Sequence, residues 1–178
     1  ALLLLPVTVA FGPVVAINVV VFLCFWSAGL GAWALGRHVL GEVRGYDATT
    51  DRIALFATAA YAFSPHLLAQ AYNGITETLF AAGLPLTTLA ALRLYERPSL
   101  ARALIAGTVG AVSTIANWYY GLFSFLAAGV LLLSFALARR DQFNWRRIPG
   151  AVGLAGVFGG LLVAPVLMGF ASTLDGDS

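Results

Sequence analysis

The feature that most constrains this chain is the segregation of its charge. Long apolar runs alternate with short segments that hold nearly all the arginines and carboxylates. Of 178 residues, 60% are hydrophobic and 10% charged, and the mean hydropathy is +0.88. A soluble domain carries roughly 25% charged residues, and one this small has too little interior to hide so much apolar side chain. A water-soluble enzyme is excluded, and the expected fold class is all-α, a polytopic membrane helix bundle. The net charge of +2 comes with arginine as the only basic side chain besides two histidines, and no groove-sized basic patch has interleaved aromatics. No nucleic-acid partner is therefore expected. The single cysteine, Cys24, lies in an apolar run and has no intrachain partner for a disulfide.

A helix needs about 20 apolar residues to cross the hydrocarbon core. About six transmembrane helices are expected, at 14–36, 53–72, 79–94, 103–118, 120–138 and 148–170, in one membrane domain covering 1–178. Arg37, Arg44 and Arg52 flank the first connection, Arg93, Arg97 and Arg102 the next on the same side, and Arg139, Arg140, Arg146 and Arg147 the last. The positive-inside rule makes the Arg-rich loops 37–52, 93–102 and 139–147 cytoplasmic. The opposite connections hold only Glu77, Asp175 and Asp177. Residues 1–13 are apolar but interrupted by Pro6, Gly12 and Pro13, and are expected to form an interfacial or re-entrant helix, or else the end of a preceding span. The chain lacks a starting methionine and ends abruptly, so it is expected to be a piece of a longer protein. Arginine without lysine points to a GC-rich bacterial genome, and the expected location is a bacterial inner membrane.

Between helices in lipid, small residues supply close contact. They recur at spacing four in Ala28, Ala32 and Gly36, in Ala103, Gly107 and Ala111, and in Gly156 and Gly160. These positions predict helix contacts within one bundle, or a homodimer face; the oligomeric state is not read. Pro65 and Pro85 fall inside the second and third runs, where each predicts a kink.

Ionisable groups at mid-depth mark coupled transport, and this chain has almost none there. The polar groups within the runs are Asn18, His66, Gln70 and Asn117. His66 follows Ser64-Pro65, where it faces a polar cavity, orients a phosphate or bonds a freed backbone carbonyl. Glu77, in the outer segment 72–78 with Asn73, either stabilises a helix N-terminus or stands as a carboxylate at a cavity mouth. The run Asn117-Trp118-Tyr119-Tyr120-Gly121 predicts a tight outer turn, whose rings either sit at headgroup level or hold a sugar or isoprenoid. Asp175-Gly176-Asp177 has the form of a metal-holding D-x-D, but reads first as a solvated loop start. No phosphate loop, HExxH, CxxC or GxSxG occurs.

Three stretches together resemble bacterial GT-C-type membrane glycosyltransferases: LPVTVAFGPVVAINVVVFLCFWSAGLGAWALGRHV, AYAFSPHLLAQAYNGITETLFAAGLPLTTLAALRLYERPS and STIANWYYGLFSFLAAGVLLL. The shared pieces are FSP, the NG-x-x-E turn, the following LPL and the YYG turn. The resemblance implies the membrane-embedded part of a glycosyltransferase that uses a polyprenyl-phosphate-linked sugar donor at the periplasmic face. Its activity would be a hexosyl- or pentosyltransfer, with membrane lipid and the lipid-linked donor as partners. It also implies a catalytic base upstream of Ala1, so no catalytic residue is assigned here. Substrate-binding candidates are Glu77 and Asn73, then His66 and Tyr119. Some relatives carry a histidine where this chain has Ile75, so no metal ligand is assigned. No cofactor is assigned either, and a divalent metal that screens the lipid phosphate is left open. The alternatives are a transporter or lipid flippase, for which internal repeats are lacking, and a non-catalytic membrane assembly protein.

Overall fold

The computed structural model describes residues 5–74, 80–138 and 147–175, and these are all-helical, without a strand. In chain order the helices are α1 (Leu5–Phe11), α2 (Pro13–Arg44), α3 (Ala48–Ala62), α4 (Pro65–Tyr72), α5 (Gly83–Glu96), α6 (Leu100–Ala116), α7 (Trp118–Ala138) and α8 (Arg147–Asp175). Two stretches, Pro13–Arg44 and Arg147–Phe170, are long and apolar enough to cross a membrane. The chain packs as two compact units, residues 1–82 and 83–178.

In the first unit, Gly12 at φ 85° separates the seven-residue α1 from α2, whose first position is Pro13. Proline is favoured there because that N–H has no intrahelical partner. The first apolar run ends at residue 36, yet α2 continues to Arg44. Arg37 is held in the helix because it bridges to the next one: its Nε donates to Asp51 Oδ1 at 2.7 Å, and its guanidinium lies over the Trp33 and Tyr46 rings. The turn that follows is short. Gly45 adopts φ 92°, and Asp47 caps α3 by accepting from the Thr50 backbone N–H at 2.7 Å. That hydrogen bond holds the Asp47 carboxyl below the usual aspartate range. α3 then runs back antiparallel along α2, with Gly29 against Thr58 and Ala62 and Gly36 against Ala54.

The single kinked helix expected over 53–72 is instead two helices. Ser64 has ψ 147°, as the residue before proline is pushed out of the helical region, and Pro65 opens α4 at a first-turn position. Pro85 likewise lies in the first turn of α5, where no intrahelical hydrogen bond is lost, so no kink arises.

In the second unit, α6 packs against α5, α7 and α8. A Cβ on Gly107 would lie 2.6 Å from the Ala155 carbonyl oxygen, and one on Gly159 2.9 Å from that of Gly107, so α6 and α8 meet backbone to backbone. The expected contact at Gly107 is present. The expected one at Gly156 and Gly160 is not: nothing lies within 4 Å of a Cβ at either, and the α8 glycine in contact is Gly159. Tyr95 crosses from α5 to donate its hydroxyl to the Ala128 carbonyl at 2.8 Å.

Burial is inverted relative to a soluble core. The buried apolar residues are mostly alanines, while Phe22, Phe56, Leu133, Leu161, Met168 and Phe170 are exposed.

Candidate functional site

The first unit contains an apolar groove of about 730 Å³ between α2 and α3. One wall carries Phe22, Phe25, Trp26 and Trp33 from α2, and the other Leu55 and Phe63. Together with Gly29 and Leu30 these α2 positions recur at three- and four-residue steps, so a 3.6-residue helix puts them on one side. Where the two helices touch, Gly29 faces Thr58 and Ala62, and the lack of a side chain at Gly29 keeps the groove deep between its aromatic walls. Phe25 stacks on Phe63, with ring centroids 5.9 Å apart, at the end next to Ser64.

Beyond that end the chain turns into α4, a short helix that carries one histidine and one glutamine. His66 is its second residue and is exposed; Asn73 is its C-cap, also exposed, with its backbone N–H bonded to the Ala69 carbonyl at 3.0 Å. His66, Gln70 and Asn73 stand at i, i+4 and i+7, so they line one stripe of α4 about 10 Å long. Leu67 is buried and anchors α4 to the unit by another face. Tyr61 ties the end of this region together, its hydroxyl donating to the Ala81 carbonyl at 2.7 Å. The groove is lined almost wholly by apolar and aromatic side chains, and the imidazole and amides of α4 follow it in the chain.

The opposite end of the groove differs in kind. Trp33 is followed one turn later by Arg37, paired with Asp51, in a segment where Arg37, Arg44 and Arg52 are matched by Glu42, Asp47 and Asp51. That end holds balanced charge. Within residues 5–74 these are the only carboxylates, so none lies on α4.

Of the four substrate-binding candidates, the structure thus brings His66 and Asn73 onto one helix. Glu77 lies outside the described residues. Tyr119 belongs to the second unit, as the second residue of α7, and is 69% exposed. The tight aromatic turn expected around it is a helix start: Asn117 alone is non-helical, its Oδ1 accepts from the Tyr120 N–H at 3.1 Å, and Trp118 begins α7. An asparagine cap satisfies an orphan donor of the first turn, so one residue suffices to separate α6 from α7. Among the described residues no three of His, Cys, Asp and Glu come together as a metal site. The aromatic wall of α2 is hidden in the sequence, because its 3.6-residue period is masked in a run where almost every position is apolar.

Comparison with protein-family models, with curated proteins and with solved structures gives no match.

Proposed function

We propose that this chain is a polytopic membrane domain with about six spans, and the lipid-binding part of a glycosyltransferase that takes a polyprenyl-phosphate-linked sugar. Inverted burial supports the membrane reading. Large side chains turned outwards over a core of alanine and glycine would cost free energy in water, at about 25 cal/mol per Å² of apolar surface, and cost nothing against lipid tails. Under this reading the Arg-rich segments 37–52, 93–102 and 139–147 are cytoplasmic, and α4 stands at the periplasmic side of a bacterial inner membrane.

The observation that carries the substrate class is the aromatic groove itself, whose wall includes Phe63, two residues before α4 begins with Pro65-His66. An isoprenoid tail lies against the rings of Phe22, Trp26 and Phe63, and the phosphosugar head reaches α4. There His66 and Asn73 supply hydrogen bonds to phosphate and sugar oxygens. Their role is to position the anomeric carbon; the proton of the acceptor hydroxyl must go to a base supplied elsewhere.

A photoreactive polyprenyl phosphate incubated with the reconstituted protein tests this. Labelling is expected on the 22–33 segment, with His66→Ala and Asn73→Ala each weakening capture by about tenfold or more, the loss of one hydrogen bond to a charged group. Absence of labelling on α2 would refute the assignment. Capture accompanied by movement of the lipid across the vesicle membrane, and no sugar transfer, would favour the lipid-flippase reading over the transferase.

A further inference from the structure

The lining of the aromatic groove stops at the same level on both walls. Away from α4, the last lining residue on α2 is Trp33 and the last on the antiparallel α3 is Leu55. One helical turn beyond each stands a charged residue, Arg37 after Trp33 and Asp51 before Leu55, and Arg37 Nε donates to Asp51 Oδ1 at 2.7 Å. The ion pair therefore bridges the walls just past the point where the groove ends. The helices also close up there, since a Cβ on Gly36 would lie 3.6 Å from Ala54.

The bridge is tied to Trp33 itself. The Arg37 guanidinium lies 5.4 Å from the centroid of the Trp33 ring and 5.7 Å from that of Tyr46, both within cation–π range. A planar guanidinium can stack on rings and still offer an edge to a carboxylate. Tyr46 in turn packs on Gly41, where a Cβ would overlap its ring. Trp33, Arg37 and Tyr46 thus form a chain of contacts anchored at the turn between α2 and α3. A hydrocarbon chain pushed past Trp33 would have to strip water from both charges, which costs free energy.

From Phe22 to Trp33 the groove extends roughly 16 Å along α2. Its side stays open, because Phe22, Trp26 and Leu55 are exposed. An isoprene unit repeats every four bonds, about 5 Å of extended chain. We infer that Trp33, held by Arg37 and Asp51, is a depth stop that limits the groove to about the first three isoprene units of a polyprenyl tail. The remainder of a longer tail leaves sideways into lipid. Trp33 determines the length admitted, and Arg37 and Asp51 are positioning residues acting through it. The stop rests on the polyprenyl reading of the groove given above.

Polyprenyl phosphates that carry a diazirine on one chosen isoprene unit, from the first to the fifth, test it. Each is photolysed with the reconstituted protein at equal mole fraction in the bilayer, and the adducts are mapped by mass spectrometry. In the native protein the first three units are expected to label residues 22–33 and 55–63, and the fourth and fifth to label bilayer lipid. Trp33→Ala should bring fourth-unit adducts onto residues 33–37. Arg37→Gln and Asp51→Asn should each raise the fourth-unit share of protein adducts about threefold, the scale of one exposed cation–π contact. A merely structural ion pair would lower all units alike and leave that share unchanged, which would overturn the positioning role. Fourth- or fifth-unit adducts on residues 37–51 of the native protein would overturn the stop, and this map needs no variant to fold. Absence of α2 adducts from every unit would instead overturn the polyprenyl reading.

Discussion

Gly107 has no side chain because α8 passes where one would stand. A methyl group there would meet the Ala155 carbonyl oxygen at 2.6 Å and the Gly159 nitrogen at 3.2 Å, both backbone atoms that move only with the whole helix. Gly107→Ala is therefore expected to lower stability by about 1–3 kcal/mol, the usual cost of overpacking. Gly156→Ala, one turn from that contact and open to space, should instead raise it by about 0.5–1 kcal/mol through helix propensity. Thermal unfolding of both variants in the same detergent measures the contrast; destabilisation by Gly156→Ala would mean that the α8 face is covered. The spacing-four pattern in the sequence finds Gly107 but selects Gly156 and Gly160. With Gly153, Gly156, Gly159 and Gly160 close together, several registers satisfy the pattern, and only the approach of α6 decides among them.

At the scale of elements, Pro65 divides what hydropathy reads as one span. Its ring keeps Ser64 extended, and Phe63 ends α3 beside the groove. With Pro65→Ala the residues 48–72 are free to form one helix of about 37 Å. Spin labels at Ala48 and Tyr72 should then move apart with a narrowed distance distribution; an unchanged distance would show that tertiary packing, not proline, imposes the break. The start of α3 depends on Asp47, whose carboxyl is held below its ordinary value by the Thr50 N–H. For such a lowered carboxyl the added stability is fully present above the unfolded value, about 3.9, and is lost as pH falls through the lower folded one. Melting temperature followed from pH 5 down to about pH 2.5 should fall less steeply for Asp47→Asn, which keeps a capping oxygen without the titration. The cap, the Ser99 cap of α6 and the ends of most helices are readable as Asp, Ser, Asn and Gly before or after apolar runs. The Asn117 boundary is readable too, but the ring-rich residues after it disguise a helix start as a turn.

For the whole molecule, arginine placement and alternating apolar runs predict which ends share a side. In a Cys24→Ala background, Asn73→Cys and Tyr119→Cys should react with an impermeant thiol reagent on intact cells. Arg44→Cys and Arg97→Cys should react only after permeabilisation; labelling of all four from one side would end the six-span reading. The sequence by itself determined that the chain is helical, that its charges lie at helix ends and that its close contacts run through alanine and glycine. Each of these follows from composition and from neighbours within about four positions, the reach of a helical turn. Only the tertiary structure decided that Phe22, Trp26 and Phe63 share a groove and that a separate short helix, capped by Asn73, carries His66. It alone also set the arginine at the start of α8 beside the start of α6. In a chain this uniformly apolar every face of a helix looks alike to the sequence, and which face meets a neighbour depends on how whole helices pack.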